Sequence, residues 1–221
     1  MIEISALFSE IPPIAEPLFE GIVYPWEALS KIKGYIEKLL ENPPEGYSFL
    51  SSGVLVGEGV KIADTALIIP PAVIGHGTEI RQGAFLRGNV ITGDFCVIGN
   101  STEIKNSVLF DKVQVPHYNY VGDSILGKLA HMGAGSICSN LKNDGTNITV
   151  KGEENWNTGL RKLGAILADG ANVGCGCVLN PGTVIGKNTA VYPLLSLRGV
   201  YPENCIVKSP SEVVNRSERE S

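Results

Sequence analysis

The sequence of 221 residues predicts an all-β protein, a parallel β-helix of hexapeptide repeats with a short helical segment before it. Two observations predict this fold. Aliphatic residues recur at every sixth position, and glycine accounts for 26 residues whereas only 7% of the chain is aromatic. An α-helix would repeat its apolar face every 3.6 residues and an ordinary strand every two. A period of six indicates short strands joined by tight corners, which glycine and other small residues tolerate.

The charge balance and the hydropathy pattern exclude several classes of protein. Lys and Arg number 18 and Asp and Glu number 23, which gives a net charge of −5 and a pI near 5.3. Such a chain has no overall positive field to attract nucleic acid or an anionic membrane surface. The sequence contains no signal-like segment and no apolar run approaching about 18 residues. We therefore expect a cytoplasmic protein that binds neither nucleic acid nor membrane.

The first element in order is an N-terminal extension, residues 1–50, that contains one amphipathic helix. Apolar residues recur at helical spacing after Pro25, and Pro43 and Pro44 lie beyond the last of them. Proline is favoured in the first turn of a helix and does not continue one. This pattern predicts a helix at about residues 26–42. Its expected role is to cap the first coil of the β-helix, whose unpaired strand edges would otherwise promote aggregation.

The β-helix itself is predicted for residues 51–210. From Val56 to Ile104 almost every sixth residue is aliphatic, and a small residue follows each of them four positions later. The pattern resumes at Tyr120 and again at Leu167. Three hexads close a coil of about 18 residues, and successive coils stack at the ~4.8 Å strand spacing. Residues eighteen apart in the sequence are therefore expected to lie one above the other.

Two segments depart from the repeat. Residues 139–161 are polar and contain glycine, which predicts a projecting loop, and such loops on a regular scaffold are often functional. Residues 211–221 form a polar tail that we expect to be frayed. A smaller irregularity lies between Ile104 and Tyr120, which are sixteen residues apart, not a multiple of six. We expect the coil to distort there, close to His117.

The cysteines indicate reduced thiols, because their number is odd and a chain of this length and apolar content needs no disulfides. Cys175 and Cys177 could form half of a metal site. Two ligands do not complete a tetrahedral zinc site, however, and no second pair stands at the required spacing. We therefore expect no metal site. The five cysteines are Cys96, Cys138, Cys175, Cys177 and Cys205.

Two basic residues, Arg87 and Lys105, are eighteen residues apart, and each follows the aliphatic residue of its hexad. In the coil they are expected to lie one above the other on the outer face. Like charges on adjacent strands destabilise a sheet unless an opposite charge lies near them. An anionic ligand would supply that charge, and so would a structural salt bridge to Glu103 or Asp94. The sequence leaves both interpretations open.

His117 is a candidate general base, because the pKa of an unperturbed histidine, about 6.5, suits proton transfer at cellular pH. The alternative is an ordinary polar surface residue. His76 has the pattern of a corner residue between glycines, and His131 allows either interpretation.

Several motifs together resemble one family. They are Arg87, Gly99-Asn100 with Glu103-Ile104-Lys105, His117-x-x-Tyr120-x-Gly122-Asp123, Gly133-Ala134-Gly135, Asn140 and Arg161-Lys162-Leu163-Gly164-Ala165. Over residues 54–210 the sequence resembles the acetyltransferase domain of the bifunctional sugar-1-phosphate nucleotidylyltransferase/acetyltransferases. The bacterial type of this family is the N-acetylglucosamine-1-phosphate uridyltransferase/glucosamine-1-phosphate acetyltransferase.

The resemblance implies a left-handed parallel β-helix that assembles as a homotrimer, with active sites between subunits for acetyl-CoA and an amino-sugar phosphate. It also implies that His117 is the catalytic base and that the acetyl transfer requires no metal. The residues implied to bind the sugar phosphate are Arg87, Lys105, Tyr120, Asn140 and Lys162, and those implied to line the acetyl-CoA path are Ala134 and Cys175, with Lys208 near the coenzyme phosphates.

The chemistry agrees with these residue types. An amino sugar is mostly an ammonium ion at neutral pH and must lose a proton, which a histidine can accept, before it attacks a thioester. Attack produces an oxyanion that a backbone N–H at a small-residue corner can stabilise. We therefore expect an acetyl-CoA-dependent N-acetyltransferase that acts on an amino-sugar phosphate such as glucosamine-1-phosphate, in sugar-nucleotide biosynthesis.

The sequence departs from the family pattern in three places. The expected Asn-Tyr-Asp-Gly element reads Asn140-Leu141-Lys142-Asn143-Asp144-Gly145, and His131 stands where the bacterial type has an asparagine. The identity of the amino sugar is therefore open. No glycine-rich phosphate loop precedes the hexads, and the first fifty residues are too few for a nucleotidyltransferase domain. We accordingly expect no pyrophosphorylase activity, and whether a separate nucleotidyltransferase partner exists is open.

Three other interpretations compete with this one. A zinc hydratase of the trimeric β-helix carbonic anhydrase type needs three histidines at one interface, and the spacing of His76, His117 and His131 does not suit it. The second is a non-catalytic trimeric scaffold or sugar-nucleotide-binding protein, although folding alone does not require the motif residues together. The third is an acyltransferase that acts on another sugar.

Overall fold

The computed structural model describes residues 2–216. Two α-helices, α1 (Ile4–Leu7) and α2 (Ile32–Glu41), precede the strands, together with 3-10 helices at Glu16–Phe19 and Pro25–Ala28. Over the described residues no helix is long and apolar enough to cross a membrane. The strands are β1 (Tyr47–Ser51), β2 (Val54–Gly57), β3 (Lys61–Ile62), β4 (Leu67–Ile69), β5 (Ala72–Ile74), β6 (Glu79–Ile80), β7 (Phe85–Arg87), β8 (Val90–Thr92), β9 (Val97–Asn100), β10 (Glu103–Lys105), β11 (Ser107–Leu109), β12 (Gln114–His117), β13 (Tyr120–Gly122), β14 (Ile125–Leu126), β15 (His131–Met132), β16 (Ile137–Cys138), β17 (Thr149–Lys151), β18 (Asn155–Asn157), β19 (Ala165–Leu167), β20 (Asn172–Val173), β21 (Val178–Leu179), β22 (Thr183–Ile185), β23 (Ala190–Val191), β24 (Ser196–Leu197), β25 (Val200–Tyr201), β26 (Cys205–Ser209) and β27 (Glu212–Asn215).

These strands form three long sheets and one short hairpin. Sheet A has the order β1-β2-β5-β8-β11-β14-β19-β22-β25, sheet B the order β3-β6-β9-β12-β15-β20-β23-β26-β27, and sheet C the order β4-β7-β10-β13-β16-β21-β24. Neighbours within a sheet pair in parallel, except for the antiparallel pairs β1 with β2 and β26 with β27. In the regular coils, consecutive strands fall in different sheets and every third strand returns to the same one. The predicted fold, a left-handed parallel β-helix of hexapeptide repeats with a short helical segment before it, is confirmed.

The register shows eighteen-residue stacking in the first coils and shorter coils after them. Val56 pairs with Ile74, and Ile74 pairs with Thr92. In the shorter coils Ile104 pairs with Val121, seventeen residues later, and Val121 is fully buried. Because successive side chains of a strand alternate between its faces, Tyr120 lies on the outer face of sheet C. The prediction that Tyr120 resumes the aliphatic row is therefore wrong, and Val121 occupies that position.

The shorter coils lose one residue at the corner between sheets C and A. Successive interior positions are five residues apart between β10 and β11 and between β13 and β14, rather than six. Asn106 and Asp123 occupy these two tight corners, each with a φ of 48°. Asparagine and aspartate adopt this left-handed conformation more readily than other residues with a Cβ. The distortion predicted close to His117 lies instead at Asn106 and Asp123, and His117 ends the regular strand β12.

Two apolar clusters stabilise the molecule. Rows of stacked aliphatic side chains fill the interior of the β-helix. A second cluster lies between the outer face of sheet A and the N-terminal segment, where Trp26, Ile32 and Ile36 are buried with Val73 and Ile91. We expected this segment to cap the first coil, but it covers a lateral face. The reason is that the outward side chains of sheet A are themselves apolar and require burial.

Three predicted segments differ in secondary structure from what the sequence predicted. The helix expected at 26–42 consists of α2, with a 3-10 helix at its predicted start. The insertion expected at 139–161 contains the antiparallel hairpin of β17 and β18, which packs beside sheet A. The tail expected to fray from residue 211 begins with β27, because this strand pairs with β26 and covers the edge of sheet B. Residues 217–221 lie outside the described residues.

Candidate active site

The outer face of sheet C carries the two predicted anion-binding residues of the regular coils. β10 pairs in register with β7, which places Arg87 beside Lys105 as their spacing predicted. Each has an acidic partner: Arg87 forms a salt bridge with Glu103, and Lys105 Nζ lies 3.2 Å from Asp123 Oδ2. Asp94 lies at another corner, where its carboxylate accepts a hydrogen bond from a backbone N–H. The salt-bridge interpretation therefore describes the resting state of Arg87, with Glu103 as its partner.

Asp123 is the centre of a hydrogen-bonded network at the corner between sheets C and A. Its side chain is 6% exposed, and its carboxylate accepts hydrogen bonds from Lys105 Nζ, from Asn106 Nδ2 at 2.9 Å and from Asn140 Nδ2. Asn140 Nδ2 also lies 3.3 Å from the hydroxyl oxygen of Tyr120. Three donors offset the cost of burying this carboxylate. The sequence predicted Lys105, Tyr120 and Asn140 as site residues, and Asp123 is the group that joins them.

The Tyr120 hydroxyl is held in its neutral form. Burial raises the pKa of Tyr120 above its ordinary value, and the negative charges of Asp123 and Glu103 raise it further. Since the ordinary value is about 10, the phenol stays protonated at neutral pH. A neutral phenol both donates and accepts hydrogen bonds, so Tyr120 suits contact with a sugar hydroxyl rather than proton abstraction.

A cavity of about 480 Å³ opens beside Asp123. The N-terminal segment contributes Leu29 and Ser30 to its wall, and the residues before β19 contribute Arg161 and Lys162. Within residues 2–216 neither of these two cations has an ion-pair partner. They are therefore the cations of this corner that are available to an anion. Lys162 was predicted as a site residue, whereas no motif in the sequence marks Leu29 or Ser30.

His117 lies at the corner between sheets B and C, in a column with two other predicted residues. The backbone N–H of Gly135 donates to the carbonyl of His117, and that of Gly176 donates to the carbonyl of Ala134. These bonds stack His117, Ala134 and Cys175 on successive coils. All three are exposed.

Asn119 fixes the position of His117 against the next coil. Its side chain is almost fully buried, at 2% exposure for the residue. The backbone N–H of His117 donates to Asn119 Oδ1 at 3.1 Å, and Asn119 Nδ2 donates to the carbonyl of Gly133 at 2.8 Å and to that of Ser136 at 3.2 Å. The corner that carries Ala134 is thereby tied to the backbone of His117. No sequence motif pointed to Asn119, because an asparagine between two tyrosines has no distinctive spacing.

Successive coils approach each other closely beside this column. Gly133 and Gly174 precede Ala134 and Cys175, and a Cβ added at either glycine would lie 2.6 Å from a backbone nitrogen of the next coil. The two glycines thus mark close contacts between coils, and the column continues to Leu194, whose backbone N–H donates to the carbonyl of Cys175. Lys208 lies on β26, two strands beyond β20 in sheet B, where its Nζ is 3.2 Å from Glu212 Oε1.

The chain thus divides the predicted residues into two groups, at opposite ends of the strands of sheet C. His117 lies before β13 and belongs to the column on the side of sheet B. Asp123 and Asn140 lie after β13, on the side of sheet A, and Tyr120 begins the strand itself. Within one chain, the candidate base His117 and the cations Arg161 and Lys162 therefore lie at opposite ends of this three-residue strand.

The cysteines differ sharply in exposure. Cys96 and Cys138 are buried, and burial raises the pKa of each thiol to about 12. Cys175 is the exposed one of the five free cysteines. Among residues 2–216 no group of three or more His, Cys, Asp or Glu side chains is placed to hold a metal ion.

Known proteins share this sequence pattern. The family model of the GMPPB C-terminal domain matches residues 68–158. The bifunctional protein GlmU of Methanococcus maripaludis (strain C5) is 32% identical over 197 residues, which are 88% of this chain and 46% of that protein. The predicted resemblance is confirmed. The chain spans about half the length of the curated relatives it matches, and the similarity covers their C-terminal region.

Two further proteins extend the comparison. The bifunctional sugar-1-phosphate nucleotidylyltransferase/acetyltransferase of Sulfurisphaera tokodaii is 32% identical over 152 residues, which are 62% of this chain and 38% of that protein. The solved structure of an AntD mutant, an N-acyltransferase from Bacillus cereus, matches with a TM-score of 0.46 and 18% identity. The match covers 79% of this chain and 92% of the AntD chain.

Proposed function

We propose that this chain is an acetyl-CoA-dependent N-acetyltransferase whose acceptor is an amino-sugar phosphate, with His117 as the general base. The observation that supports this most strongly is the Asp123 network, which holds Lys105, Tyr120 and Asn140 beside a cavity that carries two free cations. The aliphatic rows and backbone ladders that fold the coils require no such network. The names of the relatives, which include acetyltransferases, support the same activity.

The residues divide the chemistry among them. The sugar phosphate binds toward Arg161 and Lys162, and Tyr120 and Asn140 contact the sugar. Lys105 adds positive charge at this corner, and Arg87, whose salt bridge with Glu103 is exposed, exchanges that partner for a phosphate oxygen.

The ammonium group first releases one proton to solvent, and His117 accepts the second proton from the same nitrogen as it attacks the thioester carbonyl. The bond from the carbonyl carbon to nitrogen forms and the bond to sulfur breaks. The imidazolium then returns a proton to the departing thiolate. Acetyl-CoA lies along the column of Ala134 and Cys175, with Lys208 toward its phosphates.

The division of the site favours a homotrimer with active sites between subunits. Since one chain places His117 and the Asp123 network at opposite ends of the sheet C strands, a neighbouring copy would bring the base of one chain to the network of another. Multi-angle light scattering tests this directly. A homotrimer gives a mass three times the chain mass of 23.5 kDa, and a monodisperse monomer that retains full activity would refute the shared site.

The first experiment is acetyl-CoA consumption with glucosamine-1-phosphate and galactosamine-1-phosphate as parallel acceptors. Loss of the thioester absorbance is the suitable readout, because the exposed Cys175 thiol would react with a thiol reagent. Turnover with either acceptor supports the proposed reaction and selects the sugar. Binding of CoA without turnover of either indicates another acceptor, and absence of CoA binding would favour a non-catalytic scaffold.

Replacement of the base gives the sharper test. We expect His117→Ala to lower kcat by about 10²- to 10⁴-fold with the fold unchanged, because the exposed imidazole contributes no packing. His131→Ala is the matched control, since His131 lies on the next strand of sheet B and contacts Asn172. Unchanged turnover in the His117 variant, or an equal loss in the control, would contradict the assignment.

A further inference from the structure

A tight turn in the insertion, residues 142–146, is closed by hydrogen bonds within the segment. The backbone N–H of Gly145 donates to the carbonyl of Lys142, and the backbone N–H and hydroxyl of Thr146 donate to Asp144 Oδ1 at 2.9 and 2.8 Å. Lys142 Nζ donates to Thr146 Oγ1 at 3.2 Å and to the carbonyl of Asn147 at 2.7 Å. The turn is therefore closed by its own hydrogen bonds, and among residues 2–216 the ammonium group of Lys142 has no ion-pair partner.

Two arginines approach this turn. The guanidinium of Arg161 lies beside Gly145, where an added Cβ would be 3.4 Å from Nη2. Arg198 and Asp144 lie in the wall of one cavity. Hydrogen bonds from Thr146 lower the pKa of Asp144, and the charges of Lys142 and Arg198 lower it further. Arg198 is exposed and, over the described part of the chain, forms no ion pair.

A second cavity, of about 390 Å³, lies on the Arg198 side of the turn. Its wall contains Ser139, Asn180, Pro181 and Arg198 as well as turn residues, and it shares Leu141 with the first cavity. Asn180 Nδ2 donates to Ser196 Oγ and to the carbonyl of Leu197, which leaves Asn180 Oδ1 as an available acceptor. The two cavities therefore adjoin along the insertion.

Four basic side chains gather at the two adjoining cavities. Lys142, Arg161, Lys162 and Arg198 are all without an ion-pair partner over residues 2–216, and Asp144 is the unpaired carboxylate near them. The whole chain, by contrast, has a net charge of −5. Like charges gathered at adjoining concave surfaces repel one another, and a bound polyanion removes that repulsion.

We infer that the two cavities together bind a nucleoside diphosphate amino sugar, which carries two linked phosphates, as an acceptor of this enzyme. This rests on the proposed function and specifies its substrate class. Arg161 and Lys162 contact the phosphate next to the sugar, and Arg198 contacts the second phosphate. The polar and apolar wall of the second cavity receives the nucleoside. Small-molecule sites span roughly 300–1,000 Å³, so each cavity alone is small for such a ligand and the two together suffice.

Binding of uridine diphosphate, measured by calorimetry at fixed ionic strength, tests this without requiring turnover. We expect uridine diphosphate to bind at least tenfold more tightly than uridine monophosphate. Arg198→Gln is expected to weaken the binding of uridine diphosphate by about 10- to 100-fold, which is the effect of losing one charge-assisted hydrogen bond. Lys112→Gln is the matched control, because Lys112 is exposed, unpaired among the described residues and remote from the insertion. It is expected to leave binding unchanged.

The outcomes separate this inference from the proposed function. Uridine diphosphate that binds no more tightly than inorganic phosphate overturns the inference, as does an Arg198 variant with unchanged binding. An Arg198 variant that instead raises the KM for acetyl-CoA also overturns it, because the charge then serves the coenzyme. Arg198-dependent binding without acetyl transfer to uridine diphosphate glucosamine sustains the diphosphate site and refutes the activity. Turnover of glucosamine-1-phosphate without binding of uridine diphosphate sustains the proposed activity and refutes the diphosphate site.

Discussion

Asp123 has two roles that depend on one another. Its backbone adopts a left-handed conformation that shortens a corner by one residue, and its carboxylate fills the space that the tight corner creates. Because that carboxylate is buried, it needs donors on every side, and Lys105, Asn106 and Asn140 supply them. The same donors would otherwise be mobile side chains on an open face. A structural requirement of the corner therefore organises the polar groups that face the cavity.

Asp123→Asn is expected to destabilise the folded chain by about 2–3 kcal/mol. The amide would direct its NH₂ group toward a donor, and Lys105 would lose its partner in a mostly buried setting. Urea denaturation at one fixed protein concentration measures this. Glu103→Gln is the control, since the exposed salt bridge with Arg87 contributes little and its loss should leave the midpoint nearly unchanged. Equal effects of the two substitutions would show that the Asp123 network does not stabilise the corner.

The cysteines allow a second test at the residue scale. A disulfide reagent is expected to modify one thiol quickly in the native protein, that of Cys175, and all five after denaturation. The thiolate is the reactive form, and the raised pKa values keep Cys96 and Cys138 protonated as well as inaccessible. Saturating acetyl-CoA should protect Cys175 if it lines the coenzyme path. Rapid labelling that acetyl-CoA leaves unaltered would remove Cys175 from that path.

At the scale of elements, the candidate site is built where one corner of the coil changes length. The corner between sheets C and A is shortened at Asn106 and at Asp123, and again between β24 and β25, where the interior positions Leu197 and Tyr201 are four residues apart. The coil after Asp123 places the whole insertion at that same corner. Each change brings polar side chains to one edge of sheet C. The cavity beside Asp123 is thus lined by the turns at Asn106 and Asp123 and by both ends of the insertion, at Leu141 and Arg161.

The period of six was sufficient to predict the sheets and the stacking of the first coils, because an aliphatic row has to face the interior. It could not locate the lost residues. A tyrosine and a valine both suit a strand, so Tyr120 was taken for the interior position that Val121 occupies. A site residue such as Asp123 was likewise visible only within a motif. The groups that the Asp123 side chain contacts depend on which corner of the coil is shortened. The strand register shows this, whereas the spacing of residues in the sequence does not.

On the scale of the whole molecule, the N-terminal segment determines which faces of the β-helix are free. It covers sheet A, so the outer faces of sheets B and C remain for ligands and for other copies of the chain. The segment also reaches the first cavity through Leu29 and Ser30. The sequence correctly predicted an amphipathic helix. The face that the helix covers depends on outward-facing aliphatic residues of sheet A, which the sixfold pattern of interior residues does not reveal.

Deletion of residues 1–44 is expected to make the chain aggregate. It would expose a continuous apolar row on sheet A, far larger than the scattered apolar residues that surfaces tolerate. Dynamic light scattering and the unfolding temperature measure the effect. Glu10→Gln is the control: it breaks the 2.8 Å ion pair with Lys128 but leaves the apolar contacts intact, so it should remain monodisperse. A deletion variant that stays monodisperse with an unaltered unfolding temperature would show that sheet A needs no cover. The row consists of Leu55, Val73, Ile91, Val108, Ile125, Ile166 and Val184.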